Sequence, residues 1–328
     1  MEKLSGIGEY RALREYILPV FGKRANLGDD CGWFDLGHGK VMLASTDAVV
    51  EGTHYRKQWY SPQELALKAL RSAISDISAM GNHESIQCLF CMGLDARTDV
   101  AFCHAVADQL QHECRRLGAG VLGGDLVEVQ GKEFISVTVL AVADRNSLML
   151  RSMAKPGETV WLTGHVGLAR AGLEVLEHGH AAARYQKLAL KQKVPGVLLK
   201  EGSRLSSRGI SRCAMDLSDT LARSLRWIAS LSNVDIEVNL RQFPVAPLLD
   251  SWRRLTHRDL QDYLLYGAED YQLVFTSRAS RQVVLRYLPD AYPIGEVQKG
   301  RGVVRVTDLA GRAFAIKDGK DGYEAFST

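Results

Sequence analysis

The sequence predicts an α/β protein of two domains. Strand-like and helix-like patterns alternate along the chain. The 328 residues suffice for two cores of ordinary size. A polar break, Asp144-Arg145-Asn146-Ser147, divides the chain into residues 1–145 and 146–328. The composition, 46% apolar and 24% charged, is that of a globular chain, and a net charge of +3 is too small to imply nucleic-acid binding by itself. No apolar run reaches membrane-spanning length, and Met1-Glu2-Lys3-Leu4-Ser5-Gly6 lacks the apolar core of a secretory signal. A cytoplasmic location is therefore expected.

Residues 8–21 read as a helix, with Tyr10, Leu13 and Ile17 at helical spacing. Gly28-Asp29-Asp30 then sets two repelling carboxylates side by side. Residues 31–34 and 40–44 read as short strands joined at Gly37-His38-Gly39. The second leads into Ser45-Thr46-Asp47, which either ends the strand as a turn or converges on a ligand. Ser61-Pro62-Gln63-Glu64 starts a helix, with Ser61 as N-cap and Glu64 completing a capping box. That helix runs to Met80, and Gly81 ends it. Asp76 shares a face with Ala69, Ala73 and Met80, so it is either a partly buried carboxylate needing a partner or a solvated helix-end acid. Cys88 and Cys91 lie three apart in a strand and point to opposite faces, so they read as core thiols and not as a zinc site. Residues 99–117 read as a helix. The following Gly118-to-Asp125 stretch contains a formal G-x-G-x-x-G, but a helix precedes it where a dinucleotide fingerprint needs a strand. The better reading is a strand over 120–122 that delivers Gly123, Gly124 and Asp125, where backbone can approach a ligand closely.

In the second half, a strand over 160–162, a Gly-rich loop and a helix over 168–176 form a unit that either simply connects or offers helix N–H groups to an anion. The basic residues between 184 and 212 read mainly as a solvated helical face. A strand over 213–215 runs into Asp216-Leu217-Ser218-Asp219 and then a helix over 220–230. Gly267-Ala268-Glu269-Asp270-Tyr271 precedes a strand over 272–275, and two late strands follow.

Seven of these acids (Asp29, Asp30, Asp47, Asp76, Asp125, Asp216 and Asp219) sit mostly at strand exits or on a small-residue face. Hard oxygen ligands of this kind suit Mg²⁺. A multi-carboxylate cluster beside Gly-rich loops suggests phosphoryl chemistry on a nucleotide. Taken in order, Gly28-Asp29-Asp30, Ser45-Thr46-Asp47 with His54, Ser75-Asp76 to Met80-Gly81, Gly123-Gly124-Asp125, Asp216-Leu217-Ser218-Asp219 and Gly267-to-Tyr271 resemble the thiamine-monophosphate kinase family. That family belongs to the superfamily of aminoimidazole ribonucleotide synthetase and selenophosphate synthetase. The resemblance covers nearly the whole chain, from Gly8-Glu9-Tyr10 through Arg151 and Thr163-Gly164 to Gly322-Tyr323.

The resemblance implies a PurM-like, two-domain α/β (α+β) fold. The N-terminal domain would form a β-barrel across a homodimer interface, and the C-terminal domain would close the cleft. It implies transfer of the ATP γ-phosphoryl to thiamine monophosphate with several Mg²⁺ ions. Asp30, Ser45, Thr46, Asp47, Asp76, Asp125, Asp216 and Asp219 would be metal ligands. Gly124, Asp125, Arg151 and Ser218 would contact ATP. His54, Glu269 and Tyr323 would contact the second substrate, and no covalent nucleophile is implied. The chain departs from the pattern at Ala73, Leu126, Glu128-Val129-Gln130, Thr220, Ser224 and Lys191-Gln192-Lys193-Val194-Pro195. These departures motivate two alternatives: a paralogue using ATP on another acceptor, as kinase or ligase, and a non-catalytic nucleotide- or cation-binding relative.

Overall fold

The structure, a computed structural model, describes residues 3–21, 28–178 and 183–316. Two helices, α1 (Leu4–Arg11) and α2 (Leu18–Phe21), flank a π-helical stretch over Ala12–Ile17. The first sheet comprises β1 (Gly32–Gly37), β2 (Lys40–Val50), β3 (Ser85–Leu94), β4 (Ala119–Glu128) and β5 (Phe134–Asp144). Its strand order is β1-β2-β5-β3-β4. Helices α3 (Pro62–Met80) and α4 (Val100–Leu117) pack together, α3 against β2 and β5 and α4 against β4.

The expected helix start is present: Ser61 and Glu64 cap each other reciprocally, and Gly81 follows the last turn at a φ of 105°. Two strands are longer than the sequence suggests. β2 continues through Ser45, Thr46 and Asp47 because β5 pairs with it along its whole length, from Lys40↔Asp144 to Val50↔Phe134. β4 likewise continues past Gly123 to Glu128, with a register shift where it crosses Cys88 and Leu89. Asp47 and Asp125 therefore lie within strands and not at their exits. Cys88 is buried in the core, whereas Cys91, three residues on, is only half-buried.

The other face of this sheet is open. Phe34 and Leu36 of β1 and Leu89 of β3 are exposed there, and along β4 Val121, Leu122, Leu126 and Val127 are exposed on both faces of the strand. Among the described residues β4 is also an edge strand with one unpaired side.

The second half contains β6 (Thr159–Leu162), α5 (Leu168–His178), α6 (Gln186–Lys193), α7 (Leu199–Ser207), β7 (Cys213–Asp216), α8 (Leu221–Ser232) and β8 (Val234–Asn239). It continues with α9 (Pro247–Thr256), α10 (Leu260–Tyr266), β9 (Leu273–Ser277), α11 (Arg281–Tyr287), β10 (Tyr292–Lys299), β11 (Val304–Thr307) and β12 (Ala313–Ala315). The strands form a seven-stranded sheet, order β12-β11-β8-β10-β6-β9-β7. Alternation along β6 puts Val160 and Leu162 in a core with α5, α8, α9 and α10, and Trp161 in another with α7 and α11. The basic stretch is thus two short helices and not one continuous solvated face. Ala79 and Met149 reach into the second of these cores, so the two halves share packing. Gly202 makes that contact possible: a Cβ there would lie 2.0 Å from the Ser78 carbonyl oxygen. Among the described residues no helix is long and apolar enough to cross a membrane.

Candidate active site

Helix α3 runs between the two sheets, touching β2 and β5 on one side and β7 and α7 on the other. Its last turns carry Asp76 to the point where the Gly28-Asp29-Asp30 loop and the end of β7 meet. Carboxylate oxygens of Asp30, Asp76 and Asp216 there lie within 4.8 Å of one another. Each acid has its own support. The Arg151 guanidinium holds Asp30 at 2.9 Å, and the Arg151 backbone N–H donates to Asp29 at 2.7 Å. The Ser45 hydroxyl donates to Asp76. The Ser218 hydroxyl donates to Asp216 Oδ1 at 2.9 Å, while Asp216 Oδ2 is buried with no hydrogen-bond partner among the described residues.

The charges strain against each other. Burial first, then Asp216, Asp47 and Asp30, push the Asp76 carboxyl well above the usual range. Burial first and Asp30 second push Asp216 up to about 8, against the hydroxyls of Ser75 and Ser218 and the charge of Arg151. Burial also raises Asp47 and Asp29. One arginine does not neutralise this many acids. A divalent cation accepted by Asp30, Asp76 and Asp216, with Asp47 beside Asp76, would supply the missing charge and a partner for the orphaned Asp216 oxygen.

Residues 28–143 match the family model of AIR synthase related proteins, N-terminal domain. The thiamine-monophosphate kinase of Mycobacterium tuberculosis strain CDC 1551 is 31% identical over 75% of this chain and 73% of its own. The chain belongs to the thiamine-monophosphate kinase family. The Escherichia coli O157:H7 member is 27% identical over 98% of this chain and 99% of its own. Among solved structures, AaThiL complexed with AMPPCP and TMP superposes with a TM-score of 0.86 at 25% identity, covering 99% of each chain.

The structure brings together only part of what the thiamine-monophosphate kinase pattern singles out. Asp30, Ser45, Asp47, Asp76, Asp216, Arg151 and Ser218 converge. Thr46 does not bring its hydroxyl to them: alternation along β2 turns it to the open face, where it accepts from Thr138 at 3.0 Å. Asp125 is exposed and in register with Cys91, one residue beyond the row that joins Gly124 to Phe90. That places Asp125 on the open face too, away from α3. Asp219 is half-buried and paired with Arg223 at 2.9 Å. Tyr323 lies outside the described residues. Two of the departures are structural: Thr220 caps α8 by accepting from the Arg223 N–H, and Ser224 is buried and donates to the Thr220 carbonyl.

Two turns earlier along α3, Glu269 sits beside His54, whose ring burial holds below its ordinary value. Sequence reasoning missed the neighbours of Glu269. Lys68 is buried and ion-paired to it at 2.9 Å, and Gln192 donates its amide to it. The signal for Lys68 was present, because Leu65-Ala66-Leu67-Lys68-Ala69-Leu70 leaves a lysine in a helical run with apolar residues all round. Asp270 was missed as well. Its carboxylate accepts from the Ala169 N–H at 2.9 Å and from Gly167 and Leu168, so the anion at the start of α5 is the chain's own.

Proposed function

We propose that this protein transfers the γ-phosphoryl group of ATP to the phosphate of thiamine monophosphate, releasing ADP and thiamine diphosphate. The observation that carries this is the convergence of Asp30, Asp76 and Asp216 in a chain of this family. The relative bearing AMPPCP and TMP supports both substrates. Asp30, Ser45, Asp47, Asp76 and Asp216 would hold Mg²⁺, which when bound screens two polyanions from each other and stabilises the charge of the transferring group. The protein's own contribution is placement. Arg151 fixes Asp30, and Ser75 and Ser218 fix Asp216. Gly124, Asp125, Arg151 and Ser218 are assigned to ATP. His54 and Glu269 face the acceptor, where the Glu269 carboxylate suits the cationic ring of thiamine; Tyr323 is assigned there by its motif. The attacking phosphate oxygen is already ionised at neutral pH, so no strong general base is required.

A coupled ADP-release assay with ATP, Mg²⁺ and thiamine monophosphate tests this. Turnover well above the acceptor-free rate is expected, and background turnover with normal ATP binding would sink it. A screen of other phosphorylated acceptors tests the second reading, which Gln192 favours because it touches Glu269 from a segment that departs from the family pattern.

We further propose a cytoplasmic homodimer, each chain divided into residues 1–145 and 146–328. The open apolar face of the first sheet and the free edge of β4 support association. Thr46, Gly124 and Asp125 lie on or beside that surface, so association would also enclose them. Light scattering should give twice the chain mass for the wild type, and Leu122→Lys with Leu126→Lys should shift it toward the monomer. A monomeric wild type would refute the dimer.

A further inference from the structure

We infer that Lys68 is a positioning residue of the acceptor side, acting through Glu269. The inference rests on the kinase reading above. Lys68 is 0% exposed, although it carries a long charged side chain on a helix. Its ammonium lies 2.9 Å from Glu269 Oε1. It also reaches the Gln192 carbonyl at 3.3 Å and the Tyr60 hydroxyl at 3.4 Å, and stands 5.7 Å from the centre of the Tyr60 ring. The second Glu269 oxygen accepts from the Gln192 side-chain amide. Both carboxylate oxygens are therefore held by the chain, while a quarter of the Glu269 side chain, 25%, stays open.

A buried ammonium is costly unless paired and hydrogen-bonded, and this one has a carboxylate, a carbonyl and a hydroxyl. Its partner is in a strained place. Glu269 has a φ of 63°, sparsely populated for a residue with a side chain, and its N–H is tied to the Ser218 carbonyl at 2.9 Å. Such a backbone keeps one conformation only when its surroundings over-determine it. Lys68 supplies the charge that does so from α3, two turns before Asp76. One rigid helix thereby carries an acid of the metal cluster and the counter-ion of the acceptor carboxylate, which sets the spacing between the two halves of the reaction. With Lys68 in place, the Glu269 carboxylate is held in one position, with its open part available to a cationic ligand.

The test is steady-state kinetics on the full chain, varying ATP and thiamine monophosphate separately. Lys68→Met is expected to raise KM for thiamine monophosphate at least about tenfold, with KM for ATP within about twofold. Glu269→Gln should raise the same constant, and the double variant should be no worse than Glu269→Gln alone, because both changes break one contact. A lysine that merely supports the fold would not single out the acceptor constant. An unchanged acceptor KM in folded Lys68→Met, or additive effects in the double variant, overturns the inference. If Lys68→Met does not fold, the double variant leaves no unpaired charge and is compared directly with Glu269→Gln; equal acceptor KM values support the coupling, and a further rise overturns it. Wild-type turnover is measured first. Its absence removes the kinase reading and this inference with it, whereas a normal wild type with an unaffected Lys68→Met removes this inference alone.

Discussion

Asp216→Asn should abolish turnover while making the metal-free protein more stable. Asp216 is fully buried at the end of β7, and one of its oxygens has no partner among the described residues. Its ionisation is opposed by burial and by Asp30. Asparagine keeps an oxygen for the Ser218 hydroxyl but brings no charge into the cluster. A lost cation ligand should lower kcat by about 10³-fold or more, since stabilisation of developing charge is the main service of such a site. Removing the repulsion should raise the melting temperature of the metal-free protein, by about 2–4 °C for each kcal/mol relieved. Initial rates at saturating ATP and Mg²⁺, together with melts in a chelator, check both halves. An active variant would take Asp216 out of the metal site. An inactive, less stable one would mean that its ionised form is needed by the fold.

The stability of the metal-free wild type should fall as pH rises from about 5 to about 8, and Mg²⁺ should reverse the trend. Asp216 titrates at about 8 in the folded protein, and Asp76 and Asp47 are also raised above the unfolded value of 3.8. The folded state then binds more protons than the unfolded one throughout this window. The slope of unfolding free energy against pH is therefore negative. The stability these groups contribute is fully present below the unfolded carboxyl range and is lost as pH rises through the folded values. A cation competes with those protons, so its effect grows with pH. At a hundred times its dissociation constant it adds about 2.7 kcal/mol. Melts at about pH 5 and about pH 8.5, with and without Mg²⁺, should show a large shift only at the higher pH. Equal Mg²⁺ shifts at both would contradict a proton-linked site.

Local chemistry was the legible part of this chain. The capping box at Ser61 and Glu64 and the glycine after Met80 act within a few residues, and α3 begins and ends where they place it. Asp76 could be singled out because a carboxylate on an Ala/Met face needs a partner. What pairs across the sheet could not be read the same way. The Ser45-Thr46-Asp47 run looks like a strand exit until β5 is seen to continue beside it, and that continuation separates the Thr46 hydroxyl from its neighbours on either side. The Asp270 carboxylate at the start of α5 spans about a hundred residues, and no local pattern announces it. Lys68 lay between these cases: the apolar run around it declared its burial, and only the fold supplied Glu269 as its partner.

The seven-stranded sheet also bears on how the chain is made. β6 is its fifth strand in spatial order and the first to be synthesised, yet both of its neighbours, β9 and β10, come from the far end of the chain. The Leu273 N–H that closes onto the Thr163 hydroxyl is 110 residues downstream of it. At ordinary ribosomal speed that interval is on the order of ten seconds. During it, Val160, Trp161 and Leu162, all buried in the finished protein, have no strand to pair with. The second half of the molecule cannot assemble progressively as it emerges. It must wait for β9, and until then the apolar residues of β6 stay without the sheet neighbours that bury them.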